Sequence, residues 1–175
     1  MERELKKTAV SKITVCLAQE QDYQRILNIL NLAIYERKVT ALLTPVTLES
    51  RKNWFKEHQD GIHPIYVAKI NNLVVGWMAV TAYRSGREGF KHASEISYYM
   101  APEYRECGVG TALMDHVILE SRKRGLKNLM ALIFADNLGS QRLAFKYGFE
   151  IWGKFPNIVE IDGRTTDCYQ MGLKL

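Results

Sequence analysis

The sequence of 175 residues contains few cysteines and no long apolar run, and both absences narrow the class of protein. The three cysteines, Cys16, Cys107 and Cys168, are an odd number without the spacing of a metal site. This favours reduced thiols in the cytoplasm over a disulfide framework. The seven-residue run at 129–135 is among the longest apolar runs and falls far short of the roughly 18 residues of a membrane span. We therefore expect a cytoplasmic protein with no membrane partner.

The first residues, MERELKKTAVSK, carry charges but lack the apolar segment of a secretory signal. We expect residues 1–12 to form a solvated tail. Residues 13–175 are expected to form one domain, since a chain of this length is long enough for one full core and short for two.

The net charge of +5 permits an acidic partner, but the basic residues are scattered. Their densest cluster, Arg122-Lys123-Arg124, falls at the end of a predicted helix, where cations suit the helix dipole. Without a basic stripe, no nucleic-acid partner is expected. A charged cofactor would use the same positive excess.

Hydrophobic periodicity predicts a single α/β domain with a mixed sheet and the element order β-α-α-β-β-β-α-β-α-β-β. Strands are expected at 13–17, 65–70, 73–82, 94–100, 129–135, 150–161 and 164–173, and helices after Gln21, Thr47, Gly110 and Asn137. Asn71-Asn72 and Asp162-Gly163 are typical of tight hairpin turns. The run at 129–135 is apolar at every position, which predicts a strand covered on both faces.

The stretch RECGVGTAL, Arg105 to Leu113, places two glycines just before a predicted helix. Glycine allows the backbone to approach a ligand closely, and a helix N-terminus presents unpaired N–H groups, so this stretch predicts a phosphate site. It is not a P-loop, because Thr111 stands where lysine is needed. It is not a dinucleotide fingerprint, because Leu113 stands where glycine or alanine is needed. A turn that merely requires glycine is the alternative.

Three motifs follow one another along the second half of the chain: Arg105-x-x-Gly108-x-Gly110, Asn137-x-x-Ser140 and Lys146-Tyr147-Gly148-Phe149. Together they resemble the GNAT superfamily of acyl-CoA-dependent N-acetyltransferases, over nearly the whole chain. Further stretches are similar to the narrower phosphinothricin and methionine sulfoximine acetyltransferase group: Trp54-Phe55, Arg84-Ser85, Gly89-Phe90-Lys91-His92, Glu95-x-Ser97-x-Tyr99, Asp162-Gly163-Arg164 and Asp167.

The resemblance implies acetyl-CoA as cosubstrate. The residues it assigns to the pyrophosphate are Arg105, Glu106, Cys107, Gly108, Val109, Gly110 and Thr111. It assigns the pantetheine arm to the strand at Tyr98, Tyr99 and Met100 and to Asn137 and Ser140.

Glu95 matches the position of the general base, acting through water, with a carboxylate in a structural salt bridge as the alternative. A backbone N–H near Met100 would polarise the thioester. Ala144 stands where the superfamily has an acidic tyrosine and the narrower group a histidine. Tyr147 is a candidate replacement, with core packing as the alternative. A covalent role for Cys107 is disfavoured, because no histidine lies near it in sequence.

The acceptor is expected to be a small-molecule amine bound between the loops at 40–45 and 84–92. The resemblance implies contacts with the acceptor at Glu88, Gly89 and Phe90. His92 could line the same pocket, with a place in the loop without function as the alternative. Arg84 or Lys91 would pair with an acceptor carboxylate. Arg37 and Ala41 depart from the group, which has threonine and an aromatic residue there. The other three histidines lack ligand spacing, so no metal is expected.

Three functions stay open: a small-molecule N-acetyltransferase, a protein or peptide N-acetyltransferase, and a domain that binds acyl-CoA without turnover, for which Ala144 is the motive. The terminal hairpin is apolar, with Ile151, Trp152, Phe155, Ile158, Val159 and Met171, and this predicts a homodimer. The alternative is that the first strand and the helices cover this hairpin.

Overall fold

The computed structural model describes residues 12–175, which contain seven strands and four α-helices. The strands are β1 (Thr14–Leu17), β2 (Ile65–Ile70), β3 (Leu73–Ala82), β4 (Ala93–Met100), β5 (Asn128–Phe134), β6 (Glu150–Ile161) and β7 (Arg164–Lys174). The helices are α1 (Tyr23–Glu36), α2 (Leu48–Glu57), α3 (Val109–Lys123) and α4 (Leu138–Lys146). The predicted tail lies outside the described residues, apart from Lys12.

The seven strands form one sheet in the order β1-β2-β3-β4-β5-β7-β6. All neighbouring pairs are antiparallel except β4 and β5, which are parallel. The predicted element order and the mixed sheet are confirmed, and most of the predicted strand ends differ from the observed ones by no more than one residue.

Helices cover the sheet on both sides. On the front face, α1 and α2 pack against β2, β3 and β4 through Ile26, Leu30, Phe55 and Trp77. On the back face, α3 and α4 pack against the centre of the sheet, and α3 buries the five positions that its periodicity predicts, Leu113, Met114, Val117, Ile118 and Ser121. None of the helices within residues 12–175 is long and apolar enough to cross a membrane.

Turn chemistry accounts for the connections. Asn71 and Asn72 adopt positive φ values of 49° and 65°, as a two-residue hairpin requires, and Asp162 and Gly163 do the same between β6 and β7. At the start of α2 the Thr47 hydroxyl accepts a hydrogen bond from the Ser50 N–H at 3.2 Å, which makes Thr47 the predicted N-cap.

The expectation that β5 is covered on both faces holds for every apolar side chain of the strand except one. Leu132 is 49% exposed although it lies in the middle of the strand. The reason is that α1 and α2 cover only β2 to β4 on the front face, and no helix within residues 12–175 lies over the front of β5, β7 and β6. The apolar sequence of β5 therefore predicted the burial of its apolar side chains correctly except at Leu132.

Candidate active site

A cleft opens where β4 and β5 separate. The two strands pair only at Ala93–Glu95 and Asn128–Met130 and then diverge, while β4 stays paired with β3 and β5 with β7. The cleft has a volume of about 1360 Å³. Its two strand walls each present one unpaired backbone edge.

The free edge of β4 can be identified from the ladder on its other side. The Ala101 N–H donates to the Val75 carbonyl at 2.9 Å. Because the amides of an antiparallel strand alternate in direction, the N–H groups of Met100 and Tyr98 point away from β3 and into the cleft. The cleft therefore offers main-chain donors along one wall.

The glycine-rich loop lies at the end of the cleft away from Glu95, just after the end of β4. Glu106 and Gly108 have φ values of 60° and 85°, so the loop coils tightly just before α3. The first helical hydrogen bond runs from the Ala112 N–H to the Gly108 carbonyl at 3.0 Å, which leaves the preceding amides of the first turn without a helical acceptor. Concave backbone of this kind, at the positive end of a helix, suits a phosphate group.

Arg105 fixes this loop to the front layer. Its guanidinium makes two contacts of 2.9 Å with the Glu36 carboxylate at the end of α1. This bidentate ion pair fixes the position of the loop relative to α1. Arg105 thus positions the loop in this structure.

The opposite wall is formed by β5 and the start of α4. Asn137 caps α4, because its side-chain oxygen accepts from the Ser140 N–H at 3.2 Å. Both residues line the cleft. The Tyr98 hydroxyl crosses from β4 and donates to the Ser140 carbonyl at 3.3 Å.

Glu95 lies at the closed end of the cleft, in the last residue pair before the strands separate. It has no hydrogen bond or salt bridge to any residue within 12–175, so the salt-bridge alternative finds no partner there. Burial raises the pKa of its carboxyl group, because the charged form loses water. This carboxylate is poised to take up a proton.

Ala144 and Tyr147 do not supply an acid to the cleft. Ala144 is buried in the core at 1% exposure. The Tyr147 hydroxyl donates to the Asp115 carboxylate at 2.7 Å and lies 3.1 Å from the Thr111 carbonyl, outside the cleft lining. Burial and the Asp115 charge raise the pKa of Tyr147.

The structure brings most of the predicted cofactor residues together. The cleft is lined by Tyr98, Tyr99, Met100, Arg105, Glu106, Gly108, Gly110, Thr111, Asn137 and Ser140. Cys107 is exposed and Val109 is buried in the core, and neither side chain lines the cleft. Their main-chain amides remain within the loop.

The predicted acceptor residues are not brought together. Arg84 lines the cleft, with its guanidinium carbon 5.5 Å from the Tyr83 ring centroid. Five others, Glu88, Gly89, Phe90, Lys91 and His92, lie outside the lining, on an exposed turn before β4. His92 is 3.2 Å from the Gly125 carbonyl, at the end of β4 remote from the divergence, so its predicted place in the pocket is corrected. Residues 88–92 are close to Glu95 in sequence, and this proximity suggested a shared pocket that the structure does not form.

One side of the cleft is an apolar wall, which the sequence analysis did not assign to the site although it named Phe155 and Ile158 as part of an apolar hairpin. It consists of Leu132, Phe134, Phe155, Ile158, Val159 and Cys168, with Gln170 as its polar member. The Gln170 amide nitrogen is buried without a hydrogen-bond partner among the described residues. A glutamine inside an otherwise apolar stretch of β7 was the one signal available in the sequence.

Among residues 12–175, no three histidine, cysteine, aspartate or glutamate side chains cluster as metal ligands. The three cysteines are free, with Cys16 and Cys107 exposed and Cys168 buried. Cys168 lies near Glu95, and burial followed by the Glu95 charge raises the pKa of its thiol. A neutral thiol in this position adds to the apolar wall.

Comparison with known proteins adds a family. The model of the acetyltransferase (GNAT) family matches residues 24–149. The chain is 36% identical, over 93% of its length and 99% of the relative's, to YwnH of Bacillus subtilis (strain 168), which is provisionally named a phosphinothricin acetyltransferase. It is 35% identical, over 82% of its length and 87% of the relative's, to the L-methionine sulfoximine/L-methionine sulfone acetyltransferase of Pseudomonas paraeruginosa.

Solved structures show the same fold. A phosphinothricin acetyltransferase from Sinorhizobium meliloti in complex with AcCoA has a TM-score of 0.88 at 25% identity, over 93% of this chain and 88% of that one. A ribosomal-protein-alanine N-acetyltransferase from Brucella melitensis has a TM-score of 0.87 at 33% identity, over 93% and 99%.

The uncompensated burial of Glu95 predicts a pH-dependent effect on stability. Because its pKa is raised, Glu95 supports the folded state most below its unfolded value of about 4.3 and loses that contribution as pH rises through its folded value. We expect Glu95→Gln to have a higher Tm than the wild type at neutral pH, with the two values converging below about pH 4. Thermal unfolding across pH measures this.

The matched control is Glu88→Gln, which alters an exposed carboxylate and should leave the Tm unchanged at every pH. A Tm of Glu95→Gln equal to or below that of the wild type at neutral pH would mean that the carboxylate has a compensating partner.

Proposed function

Because the chain belongs to the acetyltransferase (GNAT) family, we propose that it transfers the acetyl group of acetyl-CoA to the primary amine of an amino acid or amino-acid analogue. The observation that carries the proposal is the single cleft that joins an amide-lined loop at one end to an unpaired carboxylate, Glu95, at the other. A phosphate-bearing acyl donor and a proton acceptor are thereby set in line.

Each part of acetyl-CoA has a group in the cleft that could bind it. The pyrophosphate of CoA suits the loop amides ahead of α3, and the pantetheine arm suits the unpaired N–H groups of Met100 and Tyr98 as an added strand would. Asn137 and Ser140 flank the same arm from α4. The relative from Sinorhizobium meliloti was solved with AcCoA.

In the proposed reaction both substrates are bound together, and the amine attacks the thioester directly. Glu95 takes the proton of the amine through a water molecule, for which its raised pKa suits it. The cleft-facing amide near Met100 stabilises the oxyanion. The thiolate of CoA then departs.

The acceptor carboxylate is assigned to Arg84, the cationic side chain from the loop between β3 and β4 that lines the cleft. The side chain of the acceptor amino acid would lie along the apolar wall near Phe134 and Phe155. The names of the relatives from Bacillus subtilis and Pseudomonas paraeruginosa support an amino-acid analogue. A protein N-terminus is the second candidate, favoured by the name of the relative from Brucella melitensis.

We further propose a cytoplasmic homodimer built on the terminal hairpin of β6 and β7. Ile151, Trp152, Phe155 and Ile158 are exposed by 38–61%, and β6 is the outermost strand. The suggested cover by β1 is not available, since β1 forms the opposite edge of the sheet. Exposed apolar edges are commonly paired, and two-fold dimers are the commonest closed assembly.

CoA should raise the Tm of the protein through binding at the glycine loop. By linkage, ligand at about 100 times its Kd adds roughly 2.7 kcal/mol of stability. Gly108→Val should abolish most of this shift, because residue 108 has a φ of 85° that valine resists. Thermal unfolding with and without CoA measures both effects.

Gly125→Val is the matched control, because Gly125 has a similar φ of 75° at the far end of α3. It should lower the Tm while leaving the CoA-dependent shift intact. An undiminished shift in Gly108→Val would place the phosphate site elsewhere.

A screen of amino acids, polyamines and peptides with acetyl-CoA, read by thiol release, tests the proposed function. We expect turnover with amino acids that carry a free α-amine and a free α-carboxylate. Turnover with peptides alone would favour the protein substrate, and binding of acetyl-CoA without turnover would favour a non-catalytic domain.

The matched variant in this screen is Glu95→Gln. Its turnover at neutral pH should fall about 10²- to 10⁴-fold and recover in part at high pH, where the amine deprotonates unaided. CoA affinity should change little. An equal loss at every pH would assign Glu95 a positioning role.

The dimer predicts a mass near twice that of one 20.1 kDa chain in sedimentation at micromolar concentration. Ile151→Asp should dissociate it, since the charge would be buried in the interface. Leu119→Asp is the control, because Leu119 is 51% exposed on α3 away from the hairpin. A wild-type mass near one chain contradicts the dimer.

A further inference from the structure

Tyr98 lines the cleft, and its hydroxyl group has no part in the reaction as described so far. Its hydrogen bond to the Ser140 carbonyl is 3.3 Å long, whereas O–H···O bonds commonly measure about 2.5–3.0 Å. The hydrogen bond that the hydroxyl group donates to this carbonyl is therefore weak. A stronger acceptor that enters the cleft can take it over.

The phenol meets α4 at the turn that contains Ala144. In an α-helix the carbonyl of residue 140 faces the amide of residue 144, so a group bonded to the Ser140 carbonyl lies beside Ala144. Ala144 is buried in the core cluster on the back of the sheet, and Tyr98 packs against the same cluster. A hydroxyl from β4 thus occupies the part of α4 where the chain has no acid of its own.

Strand alternation places Tyr98 on the opposite side of β4 from Glu95. Successive side chains of a strand point to opposite faces, so Glu95 and Tyr99 face the front and Tyr98 faces the back. Their common backbone edge faces the cleft between them. The proton acceptor for the amine and the phenol therefore approach a thioester on that edge from opposite sides.

We propose that the Tyr98 hydroxyl donates a hydrogen bond to the sulfur atom of CoA as the thioester breaks. The inference rests on the proposed acetyl transfer. In that step the amine nitrogen bonds to the acetyl carbon, the carbon–sulfur bond breaks, and its electron pair goes to sulfur. The amine proton leaves through Glu95 and water, and the phenol keeps its own proton.

The ionisation of the phenol agrees with a donor that keeps its proton. Burial raises the pKa of Tyr98 to about 12, well above the value of about 8.5 for a thiol. The phenol is therefore protonated wherever the CoA thiolate exists, and it stabilises that thiolate as a hydrogen-bond donor.

The test compares the pKa of the CoA thiol bound to the wild type and to Tyr98→Phe. Ultraviolet absorbance of the thiolate reports ionisation, with the desulfo-CoA complex subtracted to remove the tyrosine signal. We expect the bound thiol pKa to rise by about one unit in Tyr98→Phe. Turnover should fall about tenfold to hundredfold, the range for one hydrogen bond to a charged group. The affinity for CoA should be unchanged at a pH where its thiol is protonated and weaker where it is ionised.

Tyr147→Phe is the matched control, because it removes the other phenol near α4, whose hydroxyl is bonded to Asp115 outside the cleft lining. It should leave the bound thiol pKa unchanged. An unaltered thiol pKa in Tyr98→Phe, with normal binding and turnover in the wild type, overturns this inference alone. Absence of CoA binding or turnover in the wild type overturns the proposed function with it.

Discussion

The separation of β4 from β5 after three residue pairs is the constraint on which the site depends. Each strand stays bound to its other neighbour, so neither can close the gap without giving up an existing ladder. Two unpaired backbone edges then face each other across the cleft. Unpaired N–H and C=O groups need partners, and an extended ligand with amide groups supplies them better than a side chain does.

This geometry also distributes the chemistry. The alternation of side chains along β4 directs Glu95 to the front and Tyr98 to the back, against α4. The glycine loop lies beyond the open end of the same strand, held to α1 by the ion pair between Arg105 and Glu36. A donor in the cleft would therefore have its phosphates, its thioester and its acceptor arranged along one strand.

In the part of the chain that the structure describes, no helix covers the front of β5, β7 and β6, and this explains two features. It leaves Leu132 half exposed inside the cleft, and it leaves the apolar side chains of β6 on the surface. The same uncovered face therefore supplies both the acceptor wall and the surface assigned to the second subunit.

Much of the fold was determined by the sequence itself, because local patterns fix local structure. Periodicity predicted the eleven strands and helices in order, the asparagine and Asp-Gly turns set two hairpins, and the glycines at 108 and 110 marked the start of α3. The sequence also placed Glu95 on the strand that forms the closed end of the cleft. Only the tertiary structure decided which of these groups meet. It removed Glu88 to His92 from the cleft, tied Tyr147 to Asp115, and brought Tyr98 to a helix 42 residues away in sequence. A periodic pattern encodes the face on which a side chain lies, but the partner on that face depends on how distant elements pack.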